Sequence, residues 1–242
     1  MLLLHPFSRC MDTPPVIDVI IPAFNESQSI GKVIRDIPEG LVRNVIVCDN
    51  NSTDGTATVA MESGAIVVHQ PVRGYGSACL AGIGYIRKLP EDTHPDILVF
   101  LDGDYSDFPQ EMPVLVRPIL DGKDMVIGSR VKGNHAPGSM TVPQVFGNWL
   151  STLLIRIIYG FRFTDLGPFR AIRWNKLLQL DMQDKNFGWT VEMQVKALKH
   201  NLQCAEVPVS YRKRIGKSKI SGTIKGTILA GYKILWTIFK SL

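Results

Sequence analysis

Cysteine is scarce and scattered. Cys10, Cys48, Cys79 and Cys204 form no CxxC pair, and no histidine stands with them at metal-ligand spacing. That excludes a zinc framework and a disulfide-stapled secreted scaffold, and it points to reduced thiols in a cytoplasmic protein. Long apolar runs are missing too. Met1 to Leu4 stops at His5-Pro6, without the basic start or the length of an export signal. Neither sign of charge dominates: 27 basic against 22 acidic residues give a net +5, an excess too diffuse to argue for nucleic acid. Internal repeats and low-complexity linkers are absent. What is present is an ordinary globular mixture, 45% hydrophobic and 20% charged over 242 residues, enough to bury a full core.

The pattern alternates. Val16–Ile21, Val45–Cys48, Ile66–His69, Ile97–Leu101 and Met125–Gly128 read as strands, and Ser27–Ile37, Thr56–Ser63 and Gly76–Lys88 as intervening helices. Pro109 suits the first turn of a further helix reaching about Asp121. Strand-helix-strand repetition at this spacing predicts a mainly parallel sheet with right-handed crossovers, nearly complete by residue 130. Lys132–Met140, with two glycines and a proline, reads as a mobile loop.

The most informative stretch is Ile97-Leu98-Val99-Phe100-Leu101-Asp102-Gly103-Asp104, a buried strand that stops on two carboxylates. Acids this close repel each other, and a hard divalent cation, Mg²⁺ or Mn²⁺, completed by ligand phosphates removes that repulsion. The plain alternative is a surface turn rich in Asp and Gly. Other predicted strands also end in polar residues: Pro22-Ala23-Phe24-Asn25-Glu26, Asp49 to Gly55, and Arg73-Gly74-Tyr75-Gly76. Singly these are turns and helix caps. Jointly, at the carboxyl ends of parallel strands, Glu26, Asp49, Arg73, Asp102 and Asp104 would line one cleft.

These segments, with Gly128-Ser129-Arg130, Thr164-Asp165-Leu166-Gly167-Pro168-Phe169-Arg170 and Glu206-Val207-Pro208-Val209, resemble glycosyltransferase family 2. They are most similar to its inverting enzymes that make polyprenyl-phosphate mannose or glucose. The resemblance runs from about Val16 to Ser221 and implies a GT-A fold, a Rossmann-like α/β sheet flanked by helices. It further implies that Pro22, Ala23, Asn25, Glu26, Asp49, Arg73, Gly74 and Gly103 border the nucleotide, with Asp49 on the base. Asp102 and Asp104 would hold metal and diphosphate, and Arg130 would reinforce them. Where the lipid-phosphate branch usually carries glutamine, two residues past the second acid, this chain has Ser106 followed by Asp107.

The acceptor decides what else is catalytic. A lipid phosphate is already anionic and needs cations to position it, which Arg212-Lys213-Arg214-Ile215-Gly216-Lys217-Ser218-Lys219 offers; the family's basic segment likewise ends in Gly-x-Ser-Lys. Arg130, Arg214, Lys217, Ser218 and Lys219 are the acceptor-phosphate candidates. A hydroxyl acceptor would instead need a base, for which Asp165 and Glu192 are the candidates. The arginines that polyprenyl-phosphate members tend to carry before the Asn-bearing helix are missing from Thr141–Asn148, leaving Arg156, Arg162 or Arg170 as substitutes.

Apolar residues from Ile224 to Leu242 recur at three- and four-residue steps, with Lys225, Lys233 and Lys240 within roughly 80° of one another on a helical wheel. Three lysines argue against a spanning segment, and Tyr232 and Trp236 suit a headgroup boundary. The alternative is a helix packed on the domain. The expected organisation is a loose leader over 1–15, a glycosyltransferase domain over 16–221, and an amphipathic membrane-associated helix over 222–242. Such a protein would sit on the cytoplasmic face of a membrane and take a nucleotide-sugar donor and a lipid-phosphate acceptor. Two other classes are weaker. A dinucleotide-binding turn at Gly74-x-Gly76 lacks its third glycine, where Cys79 stands, and leaves Asp102 and Asp104 unexplained, while a noncatalytic membrane module is supported only by the basic segment and the terminal helix.

Overall fold

The computed structural model describes residues 14–216 and Trp236. In chain order the elements are β1 (Ile17–Ala23), α1 (Ile30–Arg35), β2 (Asn44–Asp49), α2 (Thr56–Glu62), β3 (Ile66–His69), α3 (Tyr75–Arg87), β4 (Ile97–Phe100), α4 (Met112–Leu120), β5 (Met125–Ser129), α5 (Val142–Tyr159), β6 (Arg170–Arg173), α6 (Trp174–Leu180), α7 (Trp189–Lys199) and β7 (Cys204–Pro208). The strands form one sheet in the order β3-β2-β1-β4-β6-β5-β7. All pairs are parallel except those of β6, which runs antiparallel to both β4 and β5.

Burial on both faces explains the apolar runs. Alternate residues of β1 point to opposite layers: Ile20 joins Ile46, Leu98 and Ile127 on one face, and Val19 and Ile21 join Val47, Val99 and Val126 on the other. The first layer is closed by Ala78 and Ile83 of α3, Ile155 of α5, and Val191 and Val195 of α7. The second is closed by Ile30 and Val33 of α1, Ala60 of α2, and Leu115 and Ile119 of α4.

Four expectations are amended. The sheet is not nearly complete by residue 130, because β6 inserts between β4 and β5 and β7 adds an edge. β6 escapes pattern reading because it is only four residues, Arg-Ala-Ile-Arg, with a fully buried arginine at its start. The first helix begins at Ile30, not Ser27: residues 27–29 form a turn in which the Ser29 and Ile30 N–H groups donate to the Glu26 carbonyl at 3.0 and 2.8 Å. Pro109 opens a short 3-10 turn that leads into α4. Loop 132–140 has no regular element but is fastened to the chain beyond β7: the Tyr211 N–H donates to the Asn134 carbonyl at 2.9 Å, and Ala136 N–H to the Tyr211 carbonyl at 2.8 Å. The expected amphipathic helix, apart from Trp236, and residues 1–13 of the expected leader lie outside the described residues.

Candidate active site

Register brings the polar strand ends to one edge. Ala23 pairs with Asp49 and Asp49 with His69, while Phe100, two residues before Asp102, pairs with Ile20 of β1. The loops past these strands are then laced together. Asn50 N–H donates to the Ala23 carbonyl and Gln70 N–H to that of Asp49, both at 2.8 Å. Asn25, at φ 54°, donates its N–H to Ser52 Oγ at 3.0 Å and accepts from Thr53 N–H at 2.8 Å. Glu26 N–H reaches Thr56 Oγ1 at 2.8 Å. Pro22, Ala23, Asn25, Glu26 and Asp49 thus share one rim. Asp49 is buried, takes the Ser52 N–H on Oδ1, and meets His69 Nδ1 at 3.2 Å on Oδ2. Arg73 lies over the Phe24 ring, 4.1 Å from its centroid, which puts it beside the β1 loop.

Asn50 shapes the next part. Its amide donates to the carbonyls of Gln70 and Val72, and its Oδ1 accepts from Gly74 N–H at 2.7 Å. Gly74 and Gly76 then pass under residues 184–186 so closely that a Cβ on Gly76 would stand 1.9 Å from the Asp184 carbonyl oxygen. No residue with a side chain fits. The covering loop is itself held by Glu192, whose carboxylate accepts from Gln183 N–H and Asp184 N–H and pairs with Lys196 at 2.8 Å.

The acid pair follows β4. Asp102 Oδ1 accepts from the Tyr75 hydroxyl at 3.0 Å. Asp104 is buried, and its Oδ1 takes both the N–H and the hydroxyl of Ser106. Its Oδ2 faces Arg214 Nη1 at 2.8 Å. Burial, then the neighbouring Asp104 charge, pushes the Asp102 carboxyl up to about 7, against the opposing pull of Arg214, the Tyr75 hydroxyl and Arg130. Asp107 lies deeper: burial and the two acids raise it as well, and neither of its carboxylate oxygens has a hydrogen-bond partner among the described residues.

The chain beyond β7 closes over this loop. Arg212 N–H donates to the Ser106 carbonyl, Arg212 Nε to that of Tyr105 and Nη2 to that of Asp107, while its guanidinium stacks 3.4 Å from the Tyr105 centroid. Ile215 N–H donates to the Asp104 carbonyl at 2.9 Å. Lys217, Ser218 and Lys219 lie outside the described residues, which reach Gly216.

The remaining candidates are engaged elsewhere. Asp165 is fully buried against Arg130, and Glu192 holds its loop, so neither carboxylate stands open as a base. Arg130 lies 5.0 Å from the Tyr211 ring centroid; burial disfavours its charge, but Asp165 outweighs that and keeps it firmly protonated. Arg170 is spent on the carbonyls of Leu166, Gly167 and Thr190 and is no substitute phosphate ligand. Arg156 and Arg162 are exposed. Sequence reading assigned no role to His69 or Tyr211, and it quoted Asn50 and Arg212 inside motifs without the contacts the fold shows. Tyr75 lay inside a quoted motif without a role, and only the fold shows it touching Asp102.

A family profile described as "Glycosyl transferase family 2" matches residues 18–181. An uncharacterized glycosyltransferase of Mycobacterium tuberculosis is 37% identical over 217 residues, covering 88% of this chain and 94% of that protein. Undecaprenyl-phosphate mannosyltransferase of Micrococcus luteus is 32% identical over 223 residues, covering 86% of this chain and 88% of the relative. Among solved structures, glucosyl-3-phosphoglycerate synthase from Mycobacterium tuberculosis, in complex with Mn²⁺ and UDP-glucose, superposes with a TM-score of 0.72 at 25% identity, over 94% of this chain and 79% of that one. The rim of strand ends, the acid pair and these likenesses agree: the chain is an enzyme of glycosyltransferase family 2, with the GT-A fold.

Proposed function

We propose that this enzyme transfers a hexose, with inversion, from a nucleotide sugar such as UDP-glucose or GDP-mannose to a polyprenyl-type lipid phosphate at the cytoplasmic face of a membrane. The observation that carries it is the stitching of residues 212–215 onto the acid loop. It starts the basic run Arg212 to Lys219 beside Asp102 and Asp104, so an acceptor phosphate and a donor diphosphate would meet in one place.

A divalent cation suits this site. Asp102 and Asp104 are hard oxygen donors; burial and then the Asp104 charge raise the Asp102 carboxyl, and Arg214 pairs with Asp104. Among the described residues no group of three His, Cys, Asp or Glu side chains is placed to hold a metal. Two carboxylates completed by phosphate oxygens and water match the habit of Mg²⁺, and Mn²⁺ takes the same ligands. When bound, the cation neutralises charge that builds on the departing diphosphate.

The chain does the rest. Asp49, steadied by Ser52 and His69, accepts hydrogen bonds from the base; Pro22, Ala23, Glu26 and Arg73 frame the nucleoside. Asp102 and Asp104 would hold the cation at the diphosphate end, and Arg130 adds positive field from its fixed post on Asp165. An acceptor phosphate oxygen, ionised beforehand, forms its bond to the anomeric carbon as the bond to diphosphate breaks and the electron pair leaves with the nucleotide. No base is needed, in keeping with the engagement of Asp165 and Glu192. Lys217, Ser218 and Lys219 hold the acceptor phosphate, and Arg214 serves the phosphates beside the acid pair.

Membrane contact is supported by α5. No helix among the described residues is long and apolar enough to cross a bilayer. Yet Val142, Phe146, Trp149 and Ile157 form an exposed apolar stripe along α5, and the Phe146 and Trp149 rings lie 5.8 Å apart. The amphipathic sequence pattern of residues 223–242 supports the same reading. A soluble phosphorylated acceptor is the second reading, favoured by the likeness to glucosyl-3-phosphoglycerate synthase.

Incubation of the full chain with radiolabelled UDP-glucose or GDP-mannose, Mn²⁺ and vesicles containing undecaprenyl phosphate should move label into the organic phase. Label passing only to 3-phosphoglycerate or water would overturn the lipid assignment. Absence of any Mn²⁺-dependent thermal shift with UDP, GDP or TDP would overturn the donor site itself.

A further inference from the structure

Asp104 offers an outside cation one oxygen. Its Oδ1 is taken by the N–H and hydroxyl of Ser106, and Oδ2 carries Arg214 Nη1 at 2.8 Å. The guanidinium therefore stands where a metal would have to bind, and two cations do not share one carboxylate oxygen without strong repulsion.

The contact is also built to break without unfolding its surroundings. Backbone bonds hold the segment: Ile215 N–H on the Asp104 carbonyl and Arg212 N–H on the Ser106 carbonyl. The Arg212 side chain is pinned separately, on the carbonyls of Tyr105 and Asp107. Only the Arg214 side chain, 27% exposed against 6% for its partner, needs to turn away. A nucleotide diphosphate arriving with the metal brings the replacement anion to the same spot.

We propose that Arg214 is a stand-in cation for the acid pair, occupying Asp104 until a divalent metal arrives and then moving to the phosphates, so that metal and nucleotide binding are coupled through this one side chain. The inference rests on the metal-diphosphate reading of Asp102 and Asp104 given above. Free metal must compete with Arg214, whereas metal together with diphosphate gives it somewhere to go; linkage requires that each ligand then strengthen the other.

The test is Mn²⁺ titration of the full chain, followed by electron paramagnetic resonance, with and without UDP or GDP. In the native protein nucleotide should tighten Mn²⁺ binding by about tenfold or more. Arg214→Gln should bind Mn²⁺ alone about tenfold more tightly than the native protein, while the gain on adding nucleotide shrinks. Arg214→Lys should restore part of the coupling. Unchanged or weaker binding of Mn²⁺ alone by Arg214→Gln, with native binding intact, overturns the stand-in role and leaves the donor site standing. A native protein that binds no Mn²⁺ at any nucleotide concentration overturns both.

Discussion

Asp165 takes three hydrogen bonds from Arg130: from its backbone N–H at 2.8 Å, from Nε at 2.8 Å and from Nη2 at 2.6 Å. The carboxylate is fully buried, so it fixes both the backbone after β5 and the direction of the guanidinium. Removing one partner of such a pair strands a buried charge. Asp165→Ala should lower unfolding free energy by about 3–5 kcal/mol, read by chemical denaturation. A stable Asp165→Ala protein with selectively lost turnover would instead make Asp165 a base.

Asp102 predicts a pH dependence. Its carboxyl, raised to about 7 without metal, is protonated over most of the acidic range, and a protonated acid is a poor cation ligand. Mn²⁺ affinity should therefore climb as pH rises toward about 7 and level off above it. The raised value also means that the metal-free fold loses stability from this group as pH passes from the unfolded carboxylate range, about 4, up to about 7. Calorimetry at pH 5.5 to 8.5 with Mn²⁺ and nucleotide checks the first trend, and pH-dependent melting without metal the second.

Asp104→Asn keeps the shape but loses a charge. Turnover should fall by about two or more orders of magnitude, with the fold intact by circular dichroism. Unchanged turnover would remove Asp104 from the mechanism.

Gly76→Ala should disturb the nucleotide rim from a distance. The added methyl would overlap the Asp184 carbonyl and force residues 184–186 off α3, at about 1–3 kcal/mol. Glu192→Ala attacks the same loop from its other side, freeing the N–H groups of Gln183 and Asp184. Both variants should weaken nucleotide binding in calorimetry while leaving Mn²⁺ affinity without nucleotide near native.

The thiols should be silent. Burial pushes Cys48 and Cys204 up to about 12 and raises Cys79 as well, and all three are free and buried. A Cys10→Ser protein should resist alkylation at pH 8 until denatured. Because these acids are weakened by folding, their contribution to stability is lost only as pH rises above about 9.

Pattern alone located β1 to β5 and the helices between them, because strands buried on both faces carry apolar runs and their helices begin after polar loops. It also predicted that Asp49, Arg73, Asp102 and Asp104 would share an edge, since carboxyl ends of parallel strands must. β6 was beyond its reach. Arg170 breaks the apolar signal, and its burial makes sense only with the carbonyls of Leu166, Gly167 and Thr190 in place.

The amino-acid order by itself determined the parallel part of the sheet, β1 to β5, and the short list of acids and bases, which depend on local spacing, and its motifs carried the resemblance to the family. Tertiary structure decided which of those groups are open and which are engaged: Asp165 turned to Arg130, Glu192 to a loop, His69 to Asp49, and Arg214 to Asp104. The reason is physical. A charged side chain's role is set by its partner, and these partners come from 20 or more residues away or from a separately folded loop, at distances that only packing fixes.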